Sequence, residues 1–210
     1  MTLAVPQNAD PRDPSPIVRH DEGVPRASAF ERFGAFAPVF VGGPEGKPGL
    51  GWWLVLLKQY EDGAAAVRVV RDCLERCDDR RAAVARLLLT PQNWRPRLVG
   101  CVAVLVAEPS DRPLDALLQA VRAGSFVAPQ LLVTASLVCP VGWEREVADD
   151  VLERGHPKAA AAFVAVSAAA APELEQLATT DRQGGAAIAR RWRESTGASF
   201  EEAGLKRWWD

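Results

Sequence analysis

A phrase of about thirty residues recurs three or four times between Gly63 and Ala171, and self-similarity at that period constrains the architecture before any single residue is weighed. The phrases run GAAAVRVVRDCLERCDDRRAAVARLLL, NWRPRLVGCVAVLVAEPSDRPLDALLQAV, FVAPQLLVTASLVCPVGWEREVADDVLERG and HPKAAAAFVAVSAAAAPELEQLA. The second and third align best: Pro96 falls on Pro129, Leu98 on Leu131, Val99 on Leu132, Val102 on Ala135 and Val106 on Cys139, each pair 33 residues apart. Both phrases then break at a turn and resume as a second amphipathic run. Two stacked helices per unit predict an all-α chain, an α-solenoid of about four to five helix pairs. The units fall over residues 63–89, 94–123, 126–154 and 157–180, with a C-terminal cap over 186–210 and the whole domain over 28–210.

Apolar spacing assigns the faces. In the first unit Val67, Val70, Leu74 and Cys77 mark one helix face, and Val84, Leu87 and Leu88 mark the partner helix. In the second, Leu98, Cys101, Val102, Leu105 and Val106 recur at helical spacing while Val99 and Val104 fill the other side, so this helix is expected to be buried all round. Its partner is two-sided: Leu114, Leu117, Leu118 and Val121 lie opposite Arg112, Asp115, Gln119 and Arg122. The third unit repeats the contrast, with Leu131, Leu132, Ala135 and Val138 followed by Trp143, Val147, Val151 and Leu152 beside Glu146, Asp149, Asp150 and Glu153. Alanine dominates the fourth, where Phe163 and Val166 are the bulky contacts.

Outside the repeats, prolines at 6, 11, 14, 16 and 25 with charges between them predict a flexible N-terminal arm over 1–27, because such a composition buries too little apolar surface to offset chain ordering. Phe30, Phe33, Phe36 and Phe40, spaced by three and four, suggest a short helix on the first repeat, then a Gly/Pro loop from Gly42 to Gly51 and a helix from Trp52 to Tyr60. After Pro172 a short helix reaches about Thr179 and an amphipathic run spans Ala186 to Arg193. Ser199 and Glu202 then read as a capping box opening a new helix, and Trp192, Leu205, Trp208 and Trp209 as cover for the open end of the stack.

The chain of 210 residues carries a net charge of -2 and a pI near 5.8. That balance argues against a nucleic-acid partner, since Lys and Arg neutralising phosphates supply most non-specific affinity. No basic start followed by an apolar core opens the chain, so a cytoplasmic location is expected, and the longest apolar run, Trp52 to Leu57, is too short to span a membrane. Cys101 and Cys139 sit in apolar runs, and Cys73 and Cys77 are four apart with no second pair or histidine nearby, which points to reduced core cysteines and no metal site. His20 and His156 are the two imidazoles; His156, between Gly155 and Pro157, reads as a cap or turn residue. GGPEGKPG lacks the spacing and the Lys-Ser/Thr ending of a phosphate loop. No cofactor is implied. Arginines from Arg68 to Arg97 outnumber acids, whereas Glu144 to Glu175 is net acidic, a polarity suited to orienting a charged partner.

A buried helix introduced by N-W-R-P-R-L and an amphipathic helix introduced by S-D-R-P-L-D-A-L-L resemble the HEAT repeat, on Trp94, Arg97, Pro113, Leu114, Leu117 and Leu118. The ending from Thr196-Gly197 to Trp208-Trp209 is similar to the terminal cap of bacterial HEAT-like proteins. The third and fourth units depart from the pattern, with Phe126 and His156 at their openings. The resemblance implies an α-solenoid binding style and names no partner. Together with the residue pattern it leads to the expectation of a non-enzymatic protein-binding module, an adaptor, assembly scaffold or immunity-type inhibitor, whose concave ridge of second helices presents Arg86, Arg112, Asp115, Gln119, Arg122, Glu146, Asp149 and Glu153 to another protein. The resemblance also raises an alternative: a HEAT-like DNA glycosylase, to which Trp94, Trp143 and the arginines between 68 and 97 invite comparison, against the acidic balance of the chain. A HEAT-like chromophore lyase is a third reading, carried by fold alone.

Overall fold

Local chemistry sets where the helices begin. In the computed structural model, which describes residues 30–205 apart from 46, 48, 49, 59, 60, 92, 168 and 169, eleven α-helices are present and no strand occurs among the described residues. They are α1 Ala37–Val41, α2 Trp52–Lys58, α3 Gly63–Glu75, α4 Arg80–Leu88, α5 Trp94–Val106, α6 Leu114–Arg122, α7 Ala128–Val138, α8 Trp143–Glu153, α9 Pro157–Val166, α10 Pro172–Ala178 and α11 Gly185–Glu202. The predicted arm over 1–27, and Trp208 and Trp209, lie outside the described residues. The Asp79 carboxylate accepts from the Ala82 N–H at 2.9 Å and starts α4, and the Asn93 amide oxygen accepts from the Arg95 N–H at 3.1 Å and starts α5, each satisfying a donor that the first turn leaves unpaired. Proline occupies the first turn of α7, α9 and α10, where its missing N–H costs nothing. Gly124 and Gly155 follow α6 and α8 with φ of 68° and 60°, the left-handed conformation that ends a helix without a Cβ penalty.

Packing arranges these helices in layers. Helices α3, α5, α7 and α9 are successive neighbours in one layer, and α4, α6, α8 and α10 are successive neighbours in a second. Because α5 is flanked by α3, α4 and α7 and is also met by α2, a helix apolar on every side is the stable solution there. Leu98, Val99 and the run Cys101 to Leu105 are at most 1% exposed. Helix α6 has a neighbour layer on one side only: Leu117, Leu118 and Val121 are buried while Asp115 and Gln119 are exposed. The aromatic N-terminal segment, a 3-10 turn Glu31–Phe36 leading into α1, buries all four phenylalanines against α3 and α4, with Phe30 and Phe40 stacked at 4.7 Å.

The C-terminal helix departs from the sequence expectation in two ways. It continues unbroken through Ser199 to Glu202, so the capping box at Ser199 and Glu202 opens no new helix. Trp192, Thr196 and Phe200, at i, i+4 and i+8, are buried along one face, and that burial outweighs the local capping signal. Trp192, read as cover for an open end, instead lines a crevice with Val55, Val67 and Val102. Helix α11 starts beside α9, where Gly185 lies against the Lys158 backbone, and ends at α3, where Ser199 lies against Gly63, packing on α7 between them. Its 18 residues, about 27 Å at 1.5 Å each, bridge the face of the first layer that the second layer leaves open. No helix among the described residues is long and apolar enough to cross a membrane.

Candidate functional site

With α11 across the first layer, the second layer has an outward face that carries the residues expected from sequence. Arg86 on α4, Asp115 and Gln119 on α6, and Glu146, Asp149 and Glu153 on α8 are exposed. Helices α4, α6 and α8 are consecutive neighbours, so the fold brings these residues onto one surface. Charge changes along it: α4 supplies Arg80, Arg81 and Arg86 without an acid, whereas α8 supplies Glu144, Glu146, Asp149, Asp150 and Glu153 against Arg145 alone, and α10 adds Glu173 and Glu175.

Arg112 and Arg122 belong to this surface differently from the rest. Arg122 donates through Nε to the Glu146 carbonyl at 3.2 Å, pairs with the Glu146 carboxylate at 3.2 Å and lies 3.5 Å from that of Asp150. Arg112 is half-buried and donates through Nε to the Ala107 carbonyl at 3.2 Å, and burial pulls its guanidinium pKa down. Arg122 ties α6 to α8, and Arg112 closes the connection between α5 and α6 on itself. Trp143, weighed in sequence as a DNA contact, is 5% exposed and packs on Phe163 at 5.9 Å, so it is a core residue.

A second assembly, not anticipated from sequence, runs along the edge where the first-layer helices begin. Trp53 meets Trp94 edge-on at 5.6 Å, and Trp94 meets Phe126 at 5.2 Å. Arg95 lies over both tryptophans, at 4.7 and 4.8 Å from the ring centres, and Lys158 lies over Phe126 at 4.2 Å. Trp94, Phe126 and Lys158 are spaced by 32 residues, one short of the 33 that separates the aligned pairs of the two middle phrases. Three cations converge on the turn between α6 and α7. Arg97 donates to the Gly124 carbonyl at 2.5 Å, Lys158 to the Phe126 carbonyl at 3.0 Å, and Arg154 to the Arg122 carbonyl. Carbonyl oxygens at a helix C-terminus attract cations. Burial, and then repulsion from Arg154, lower the Arg97 pKa, and burial lowers that of Lys158 against the opposing pull of Asp181.

Beside this turn lies a groove of about 760 Å³, walled by the α6–α7, α8–α9 and α10–α11 turns and lined by Phe126, Arg154, His156, Lys158, Asp181 and Arg182 among others. His156 is exposed at the N-cap position of α9 and makes no side-chain capping bond. The four cysteines are free thiols, and burial pushes Cys73 and Cys139 up to about 11 and Cys101 up to about 12, which removes their thiolate character at neutral pH. Among the described residues no group of His, Cys, Asp and Glu is placed to hold a metal ion.

No protein-family model matches the chain, and neither the curated proteins nor the solved structures give a match.

Proposed function

We propose that the protein is a non-enzymatic binding module of HEAT-like α-solenoid type, and that the outer face of its second helix layer docks another protein as an adaptor, scaffold or inhibitor would. The observation that carries this reading is the charge gradient on that face, from the arginines of α4 to the carboxylates of α8 and α10, over helices whose opposite sides are committed to the core. A graded polar face both speeds encounter and fixes the orientation of a partner with the opposite gradient, and consecutive second helices provide it as one continuous ridge. Asp149 and Glu153, exposed on α8 in the acidic half, are the contacts assigned the larger share. The test is affinity capture with quantitative mass spectrometry on wild type and on Asp149→Lys/Glu153→Lys. A partner retained by the wild type and lost by the double variant, at equal melting temperature, supports the reading. Identical retention by both proteins overturns the assignment of this face.

A further inference from the structure

The groove between the three turns has a composition that the outward ridge lacks. Arg154, Lys158 and Arg182 line it, and the one acid in its lining among the described residues is Asp181. That carboxylate accepts from the Gln183 N–H at 2.8 Å and from the Gly185 N–H at 2.5 Å at the start of α11 and its charge also acts on Lys158, which leaves three cations against one acid in the lining. Arg97, Arg154 and Lys158 satisfy donors on backbone carbonyls, which carry no net charge, and none of the three is in an ion pair among the described residues. The first turns of α7 and α9 also open into the groove through Ala128 and Pro157 to Ala159, each bringing the positive end of a helix of ten residues or more.

Phe126 adds a second requirement. It is 58% exposed although it belongs to the aromatic ladder, and it stands in the lining of the same groove. The Lys158 ammonium and Trp94 meet part of its ring, and the part left open beside a cluster of cations suits a ligand that carries a flat ring and a negative group. The volume, about 760 Å³, lies within the roughly 300 to 1,000 Å³ of small-molecule sites and is far larger than a bare anion needs.

We propose that this groove binds a nucleoside phosphate, with the phosphate among Arg154, Lys158 and Arg182 and the base against Phe126. Stacking of a base on an aromatic side chain is tolerant of base identity, and guanidinium groups match phosphate oxygens in pairs. The site is separate from the outward ridge and does not depend on the protein-binding reading.

Isothermal titration with ATP, with a single-stranded decanucleotide and with inorganic phosphate tests it on the full chain. Two variants avoid the carbonyl ties: Arg182→Glu and Phe126→Ala, each checked for a melting temperature near the wild type. Saturable ATP binding is expected, weakened at least tenfold by Arg182→Glu and severalfold by Phe126→Ala, with inorganic phosphate binding far more weakly and indifferent to Phe126→Ala. ATP tighter than the decanucleotide identifies a free nucleotide as the source; the reverse identifies a nucleic-acid end. No saturable heat with either up to millimolar concentration, or binding unchanged in both variants, overturns the proposal, as does a glutamate-rich peptide that binds where ATP does not.

Discussion

Lys158 donates to the carbonyl oxygen of Phe126 at 3.0 Å while its ammonium stands 4.2 Å from the centre of the Phe126 ring, and the two residues are 32 positions apart in the chain. Arg154 reaches the Arg122 carbonyl across the same offset of 32. The α8–α9 turn is therefore latched to the α6–α7 turn by two cations at equal separation. Lys158→Met keeps the aliphatic stem and removes donor and charge. The loss of the bond and of the ring contact is expected to cost about 1 to 2 kcal/mol, read as a lower urea midpoint at unchanged slope. A midpoint equal to the wild type would show the latch to be idle.

The polar residues of α6 divide along the same line. Arg122 holds the Glu146 carbonyl and carboxylate, whereas Asp115 and Gln119 are exposed on the same helix. Arg122→Ala is expected to cost about 1 kcal/mol, an exposed ion pair contributing less than that by itself and the carbonyl bond supplying the rest. Gln119→Ala should stay within about 0.5 kcal/mol. Chemical denaturation of the two variants side by side checks this, and equal midpoints would refute the division.

Helix α5 supplies the sharpest contrast in burial. Leu105 is 0% exposed in a helix met by α2, α3, α4 and α7, so little room exists for the structure to collapse into a vacated site. Leu105→Ala should cost about 2 to 5 kcal/mol. A loss below 1 kcal/mol would mean that the neighbours repack freely.

What is legible in the sequence depends on what each signal reports. Apolar spacing located the buried faces of α5 and α6, because burial on a helix repeats with its own pitch and Leu98, Val102, Leu105, Leu117 and Val121 follow it. The outward positions of Asp115, Gln119, Asp149 and Glu153 were legible for the same reason. The continuity of α11 was not: Ser199 and Glu202 carry a local capping signal, and only the depth at which Trp192, Thr196 and Phe200 are buried overrides it. Nor were the roles of Arg112 and Arg122, whose acceptors include carbonyls at 107 and 146 that any residue would supply. The ladder of Trp94, Phe126 and Lys158 did have a sequence signal in its 32-residue spacing, but the chemical change from indole to phenyl to ammonium hides it from a comparison of like with like.

The thiols set an alkaline limit on stability. Burial raises Cys73, Cys101 and Cys139 from an ordinary value of 9.0 to about 11, 12 and 11. A raised folded pKa means that the unfolded chain loses the proton first. The stabilisation is therefore complete below about pH 9 and is lost as pH rises through the folded values. The melting temperature should fall from pH 8 to pH 10, and the fall should be smaller in Cys101→Ala than in the wild type even though that variant starts lower. An identical slope in both proteins would remove Cys101 from this account.

The position of α11 makes the two glycines at its start intolerant of side chains for different reasons. At Gly185 a Cβ has no room: it would run into the backbone carbonyl of Lys158, which cannot swing aside as a side chain can. At the preceding Gly184 the space is open apart from an ordinary contact with Ala187, but φ is 72°, so the obstacle there is conformational. Gly184→Asn, a residue that tolerates the left-handed region, should cost under about 1 kcal/mol, whereas Gly185→Ala must push the start of α11 away from α9. Because Trp192, at 1% exposure, lies on the same helix and lines a crevice with Val55, Val67 and Val102, such a shift loosens contacts with α2, α3 and α5 as well. Gly185→Ala is thus expected to cost about 2 kcal/mol or more, in the range of overpacked sites, and to speed amide exchange in α3 and α7 together with α11. Hydrogen exchange mapped by mass spectrometry reads this directly: faster exchange confined to residues 180–190 would mean that α11 is anchored independently along its length and does not act as one strap across the first layer.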